Sequence, residues 1–286
     1  MPSLIDLRRR IRSVRNTQQL TKAMKMVSAA RLRRAQDRVL AARPYAAMFL
    51  QVFSRVAGAV AQDERLGGHP LLARRPENRI LLVLATADRG LAGAFNTNLI
   101  KASQHFFEQH AGAAVELVAV GRKGRDFHRK RKVAILGELV GVMQKVQYSD
   151  AVNIARQVIE RFQAAQADAV YLLYNEFKTV LSQKLTVARI LPVVIPEEAQ
   201  RLDYIYEQPL EVLLGGLLPR YVEMAIYQAL LESSAAEHAA RMTAMDAATL
   251  NAGEMIDKLT QYMNRVRQAS ITREIIEVVS GAGAQG

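Results

Sequence analysis

The chain has 286 residues, half of them hydrophobic and 23% charged, with a formal net charge of +12. That balance suits a folded chain rather than a disordered one, with room for one large core or two modest domains. The absence of cysteine excludes disulfides, thiol catalysis and thiolate metal sites, and no apolar run is long enough to cross a membrane.

Residues 4 to 60 place apolar or small residues at steps alternating between three and four: Leu4, Leu7, Ile11, Val14, Gln18, Thr21, Lys25, Ser28, Leu32, Ala35, Val39, Ala42, Ala46, Phe49, Phe53, Val56 and Val60. This is a heptad seam, and it predicts one long helix that needs a partner along its length. Pro2 precedes the pattern, where it does no harm, whereas Pro44 lies inside it and should bend the helix. Met1-Pro-Ser-Leu4 leads directly into this helix, so no secretory signal is expected. The arginine-rich start has some character of a mitochondrial targeting peptide, but its continuation over about fifty residues favours structure. Ten Arg and two Lys stand against only Asp6 and Asp37 in the first 45 residues. Most of the surplus charge is therefore local, as a polyanionic or acidic partner would require.

Residues 61–78 are rich in Gly, Pro and charge and read as a linker. The pattern then changes. Arg79-Ile-Leu-Leu-Val-Leu-Ala85 is an apolar run bounded by turn residues, as a strand buried on both faces requires. Thr97 to Glu108 reads as a helix, Val115 to Val120 as a strand, Ser149 to Gln166 as a helix capped by Ser149 or Asp150, and Ala169 to Tyr174 and Leu185 to Ile195 as strands. Strands alternating with helices predict a parallel α/β domain, residues 79–200, inserted between two long helices.

Residues 208–286 form the second long helix. Its seam runs Leu214, Leu217, Tyr221, Met224, Gln228, Leu231, Ala235, His238, Met242, Met245, Thr249, Ala252, Ile256, Leu259, Met263, Val266 and Ser270, with Pro219 as a second bend. At 1.5 Å per residue its stretch from Gln208 to Ser280 alone would be about 110 Å long, too long to bury in a globule of this size. The two seams predict an antiparallel, left-handed coiled coil of the chain's two ends. Met24, Met26, Met242 and Met245 read as fillers of the seam or its flank.

Chemistry is sparse. The turn Thr86-Ala-Asp-Arg-Gly-Leu-Ala-Gly-Ala-Phe95 joins a strand to a helix where phosphates often bind, but it matches neither the dinucleotide fingerprint nor the P-loop. Gly121-Arg-Lys-Gly124 is equally unspecific. None of the five histidines has metal-ligand spacing with carboxylates, and His238 falls in the seam as a packing residue. No Gly-x-Ser-x-Gly motif and no catalytic carboxylate pair occurs, so neither a cofactor nor a metal is expected.

Two segments carry a resemblance. Ser13-Val-Arg-Asn-Thr-Gln-Gln-Leu-Thr-Lys-Ala-Met-Lys-Met-Val27, with Arg31-Leu-Arg-Arg-Ala-Gln36 and Arg43-Pro-Tyr-Ala46, closely resembles the gamma-subunit family of the rotary (F-type) ATP synthase. So do Ala240-Arg-Met-Thr-Ala-Met-Asp-Ala-Ala-Thr249 and Arg265-Val-Arg-Gln-Ala-Ser-Ile-Thr-Arg-Glu-Ile-Ile-Glu-Val-Val-Ser-Gly281, and the order of elements matches over the whole chain. The resemblance implies an antiparallel coiled-coil shaft with a Rossmann-like domain at its foot. The implied function is a rotor that couples proton or sodium flow through a membrane ring to ATP synthesis in a hexamer of alpha and beta subunits, whose beta subunits hold the catalytic residues. Partners implied are the alpha, beta and epsilon subunits and the c-ring, with no nucleic acid. The implied location is peripheral, at the cytoplasmic face of the bacterial plasma membrane.

Carried over by motif, Met24 lies near an acidic lever loop of a beta subunit, with Lys22 and Lys25 in a basic collar. Arg241, Arg267, Gln268, Thr272 and Glu274 are expected to face the hexamer. Residues 278–286 form an apolar tip, and Tyr204, Tyr206 and Glu207 are expected to meet the membrane ring. Ala92 stands where the family often has cysteine, and the paired-cysteine insertion of chloroplast relatives is missing, so neither thiol role applies.

Two other readings compete. A basic coiled-coil arm could contact nucleic acid, but no aromatic residue precedes Pro44 to stack on bases. An α/β nucleotide-binding enzyme would need a phosphate loop that the sequence does not supply.

Overall fold

The computed structural model of the chain describes residues 3–60, 69–194 and 208–283. In chain order the elements are α1 (Leu4–Val60), β1 (Arg79–Ala85), α2 (Phe95–Gln109), β2 (Ala114–Val120), α3 (Arg122–Lys130), β3 (Ile135–Leu139), α4 (Tyr148–Gln163), β4 (Ala169–Phe177), β5 (Gln183–Leu191) and α5 (Leu210–Gly283). Two compact units result, one of residues 1–28 with 242–286 and one of residues 29–241. The division falls inside both long helices, each of which runs on through its proline, Pro44 in α1 and Pro219 in α5.

Helix α1 starts where its sequence supplies a cap. The Ser3 hydroxyl accepts the Asp6 N–H at 3.2 Å, and the Asp6 carboxylate accepts the Ser3 hydroxyl at 2.8 Å, which satisfies donors that the first turn leaves open. Leu7, Ile11, Thr21, Ser28, Leu32, Val39, Ala46, Phe53 and Val56 are buried along it, all of them heptad positions, and Ala57 joins them beside the seam. Each buried Leu, Ile or Phe contributes about 1.5–3 kcal/mol of hydrophobic stabilisation.

In the unit of residues 29–241, the sheet has strand order β3-β2-β1-β4-β5. Strands β1 to β4 pair in parallel, with Ile80 opposite both Val115 and Ala169. β1 is buried from Ile80 onward, as its apolar run requires. The last strand departs from the parallel expectation: β5 runs antiparallel to β4, because a tight return at Thr179–Ser182, closed by the Thr179 N–H to the Ser182 carbonyl, needs no crossover helix. Two elements were not foreseen, α3 and the edge strand β3. Helix α4 begins at Tyr148 rather than at a Ser149 or Asp150 cap; Asp150 sits inside the first turn and reaches back to accept the Gln147 N–H at 2.9 Å.

Polar staples fix the sheet to the helical segments of this unit. Glu232 of α5 accepts the Arg43 guanidinium at 3.2 Å and the Phe177 N–H at the end of β4 at 3.1 Å. Ser234 donates to the Met143 carbonyl at 2.9 Å, and the Tyr148 hydroxyl donates to Glu223 at 2.6 Å. Phe53 stacks on Tyr221 with ring centroids 4.9 Å apart.

His128, on α3, is buried, with Nε2 2.9 Å from the Ser103 hydroxyl and no partner for Nδ1 among the described residues. Ser103 donates to the Ile100 carbonyl, so it accepts from the imidazole, which is therefore neutral with its proton on Nε2. Burial, with the nearby Arg131 charge, lowers its pKa from 6.5 to about 4. An unfolded chain takes up this proton near pH 6.5 but the folded chain does not until about pH 4, so stability is present at neutral pH and lost on acidification. This histidine alone should remove about 2 kcal/mol between pH 7 and pH 5. Denaturant melts at both pH values check it, with His128→Leu expected to reduce the difference by about that amount and an unchanged pH dependence contradicting it.

Candidate functional site

The unit of residues 1–28 and 242–286 is built from the first turns of α1 and the last half or more of α5. Lys25 pairs with Asp246 at 2.5 Å, the hydroxyls of Thr21 and Thr249 lie 2.8 Å apart, and the Gln18 side-chain amide donates to the Thr249 carbonyl at 3.4 Å. As numbers rise on one helix they fall on the other, so the pair is antiparallel. Small and polar residues hold the two backbones close: Ala252 and Ser28 are buried, and a Cβ on Gly253 would meet the Gln18 amide at 3.1 Å. Larger seam residues would push the helices apart, and the polar ones fix their register. The Lys25–Asp246 pair is about half exposed, so it contributes at most about 1 kcal/mol.

Beyond the stretch facing α1, no described residue covers α5. Every side chain from Ile271 to Ser280 is exposed, including Ile271, Ile275, Ile276, Val278 and Val279. Elsewhere in this unit Ile5, Leu20, Met26, Val27, Leu250 and Met255 are each more than half exposed. Apolar side chains in that number on the outside of a two-helix unit mark a surface that another protein covers. Sequence reasoning missed Leu20, Leu250 and Met255, and it read Met26 as a filler of the seam or its flank, whereas it is 65% exposed. The available signal was a large apolar residue at a position off the heptad seam. Five arginines, Arg8, Arg9, Arg10, Arg12 and Arg15, add positive charge to the same unit, all exposed.

The residues singled out from sequence divide clearly. Lys22 is exposed, Met24 is half-buried beside the seam, and Lys25 is half-buried in its ion pair. Arg267, Gln268, Thr272 and Glu274 are all exposed. Arg241 differs from the expectation of an outward-facing residue. It is only 8% exposed and lies in the other unit, where its guanidinium donates to Glu237 at 2.6 Å and to the Gly90 carbonyl at 3.4 Å. The physical reason is Glu237, one turn earlier and itself buried, whose carboxyl is pushed up in pKa by burial and drawn down by Arg241. Tyr204, Tyr206 and Glu207 lie outside the described residues.

The glycine-containing turn after β1 is closed to phosphate. Asp88 is buried, and its carboxylate accepts the Arg122 N–H and the Gly141 N–H, each at 3.0 Å. These backbone donors at the carboxyl ends of parallel strands are the kind a phosphate would use, and the chain fills the place with its own anion. Gly121 and Gly124 serve packing rather than ligand approach: a Cβ on either would strike Thr86. Among the described residues no group of three His, Asp or Glu is placed to hold a metal ion, and no described helix is long and apolar enough to cross a membrane.

Comparison with known proteins agrees over the full length. The family model described as ATP synthase matches residues 3–284. The chain is similar to the ATP synthase gamma chain of Solibacter usitatus, 65% identical over 284 residues and 99% of each protein, and to that of Pelotomaculum thermopropionicum, 51% identical over 290 residues and 99% of each. Among solved structures, it resembles a chain in the central stalk and c-ring of the Tetrahymena thermophila mitochondrial ATP synthase, with a TM-score of 0.61 and 27% identity over 80% of this chain and 99% of that one. A chain of the Euglena gracilis mitochondrial ATP synthase shares the fold, with a TM-score of 0.67 at 19% identity over 99% of this chain and 94% of that one.

Proposed function

The chain belongs to the ATP synthase gamma chain family, and from that premise we propose how its surfaces work as the central rotor shaft of the complex. The shaft turns inside the alpha/beta hexamer and couples ion flow through the membrane c-ring to ATP synthesis or hydrolysis, with the epsilon subunit as a further partner. The observation that carries this is the run of exposed apolar side chains from Ile271 to Val279, a helix end without a covering helix among the described residues. Such an end suits an apolar sleeve in which it turns. Two helices wound together also present different residues around their circumference, so each of three catalytic subunits meets a different face and is biased toward a different conformation.

In this reading the subunit supplies no catalytic residue; catalysis belongs to the hexamer, and the complex sits peripherally at the cytoplasmic face of a bacterial plasma membrane. Lys22, Met24 and Lys25 form the collar that meets an acidic lever loop, and Arg267, Gln268, Thr272 and Glu274 make polar contacts that break and re-form on each turn. Their exposure or half-exposure in the free chain supports this. Arg241, held by Glu237 and Gly90, instead fixes α5 to the turn after β1. Tyr204, Tyr206 and Glu207 are assigned to the c-ring contact by motif.

Changing Met24 to Lys tests the collar. The substitution adds a cation beside the lever loop at a half-buried position, and should leave assembly intact while lowering the ATP made per ion transported by inverted membrane vesicles. An unchanged yield per ion would contradict the assignment.

A further inference from the structure

In the unit of residues 29–241, α1, α5 and the loop after β3 enclose a cavity of about 300 Å³ that none of the contacts above uses. Its rim carries four cations: Arg31, Arg34 and Arg38 on one face of α1, and Lys145. All four are exposed, and none forms an ion pair among the described residues. Like charges at spacings of three and four on one helix face repel one another, so the arrangement costs stability unless an anion enters. No carboxylate lines the cavity, and the nearby Glu237 is taken by Arg241.

The floor supplies a second, independent observation. His238 lines the cavity, is only 4% exposed, and has one hydrogen-bonding neighbour among the described residues, the Arg241 Nη1 that lies 3.5 Å from its Nδ1. Arginine has no acceptor, so Nδ1 is the bare nitrogen and the proton resides on Nε2. Burial and the charges of Arg241 and Arg31 lower its pKa to about 4, which keeps it neutral. Nε2–H is thus a donor without an acceptor among the described residues. Beside it, the Ser234 hydroxyl donates to Met143 and has lone pairs rather than a proton to offer.

We propose that this cavity binds a phosphate oxyanion, held by the Arg31, Arg34 and Arg38 guanidinium groups and Lys145 and receiving a hydrogen bond from His238 Nε2–H. Guanidinium forks match phosphate oxygens in pairs. No Phe, Tyr or Trp lines the cavity, so it offers no broad ring to stack on a base. The chemistry recognised is the phosphate group itself, as inorganic phosphate or pyrophosphate rather than a nucleoside. The cavity is several times the roughly 30 Å³ share of a liquid water, enough for a diphosphate that keeps part of its hydration.

The test is calorimetric titration of the full chain with pyrophosphate at fixed ionic strength, with chloride as the control anion. One saturable site is expected. Arg34→Gln with Arg38→Gln should weaken it about tenfold or more, since each removes a charge-assisted hydrogen bond. These are exposed side chains, so the fold is kept. His238→Phe should weaken it less, and Arg8→Gln with Arg9→Gln, in the other unit, should leave it unchanged. Absence of saturable binding would overturn the proposal. So would equal losses in the two arginine pairs, which would show only attraction to a basic chain.

Discussion

Substituting Gly121 by alanine should prevent the α/β sheet from folding. Gly121 follows β2 with φ at +92°, a conformation that L side chains rarely adopt, and a Cβ there would lie 2.0 Å from the Thr86 carbonyl oxygen. The neighbour is backbone that is held in place: Thr86 donates its N–H to the Val120 carbonyl at 2.8 Å, which clamps β1 against β2. Neither strand can retreat without breaking the parallel ladder, so the loss should exceed about 4 kcal/mol, the range reserved for strain and steric conflict at special backbone positions. Soluble yield and resistance to limited proteolysis measure it. Gly124→Ala offers a graded comparison, because its Cβ would meet side chains rather than backbone, Thr86 at 2.9 Å and Leu84 at 3.1 Å. A Gly121→Ala chain as protease-resistant as the parent would contradict this account of the turn.

The second large effect is expected at Glu232. Its carboxylate is buried and joins three elements, accepting Arg43 of α1 and the backbone N–H of Phe177 in β4 while itself riding on α5. Glu232→Ala leaves the Phe177 N–H buried without an acceptor and removes the ion pair, together about 3 kcal/mol. Glu232→Gln keeps an acceptor for that N–H and loses only the charge on a half-exposed arginine, so it should stay within about 1 kcal/mol of the parent. Denaturant midpoints for the two variants decide it: equal losses would mean that the backbone contact is not what the carboxylate provides.

These two residues show what the sequence made legible and what it hid. The long helices were readable because period 3.5 is a strong signal sustained over many turns, and burial falls on the seam positions from Leu7 to Val56. β1 was readable because a strand buried on both faces is apolar throughout. α3 was not, since the residues it buries are Gly124 and His128, neither of which registers as an apolar stripe. β3 escaped notice as a half-buried edge strand. The direction of β5 was also hidden, because side-chain alternation is the same for parallel and antiparallel neighbours.

The site was legible in part through resemblance and in part through physics. Motif pointed to Lys22, Met24 and Lys25, which stand exposed or half-buried in the unit of residues 1–28 and 242–286. It could not foresee Arg241 turning inward, because the buried Glu237 that holds it declares itself only once α5 is packed. Nor could spacing distinguish a phosphate turn from one whose anion is Asp88. The apolar residues off the seam, Leu20 and Leu250 among them, were visible but read as ordinary, since single exposed apolar residues are common; only the structure shows how many gather on one unit.

Rotation is the central claim, and the chain's lack of cysteine makes it directly measurable. Gly112→Cys places one unique thiol in the turn between α2 and β2, where a Cβ meets nothing within 4 Å. With the complex fixed to a surface through its hexamer and a probe on that thiol, adding ATP should drive the probe round in one direction, stopping when ATP is removed. A probe that stays still while the same complexes hydrolyse ATP would contradict the rotor reading.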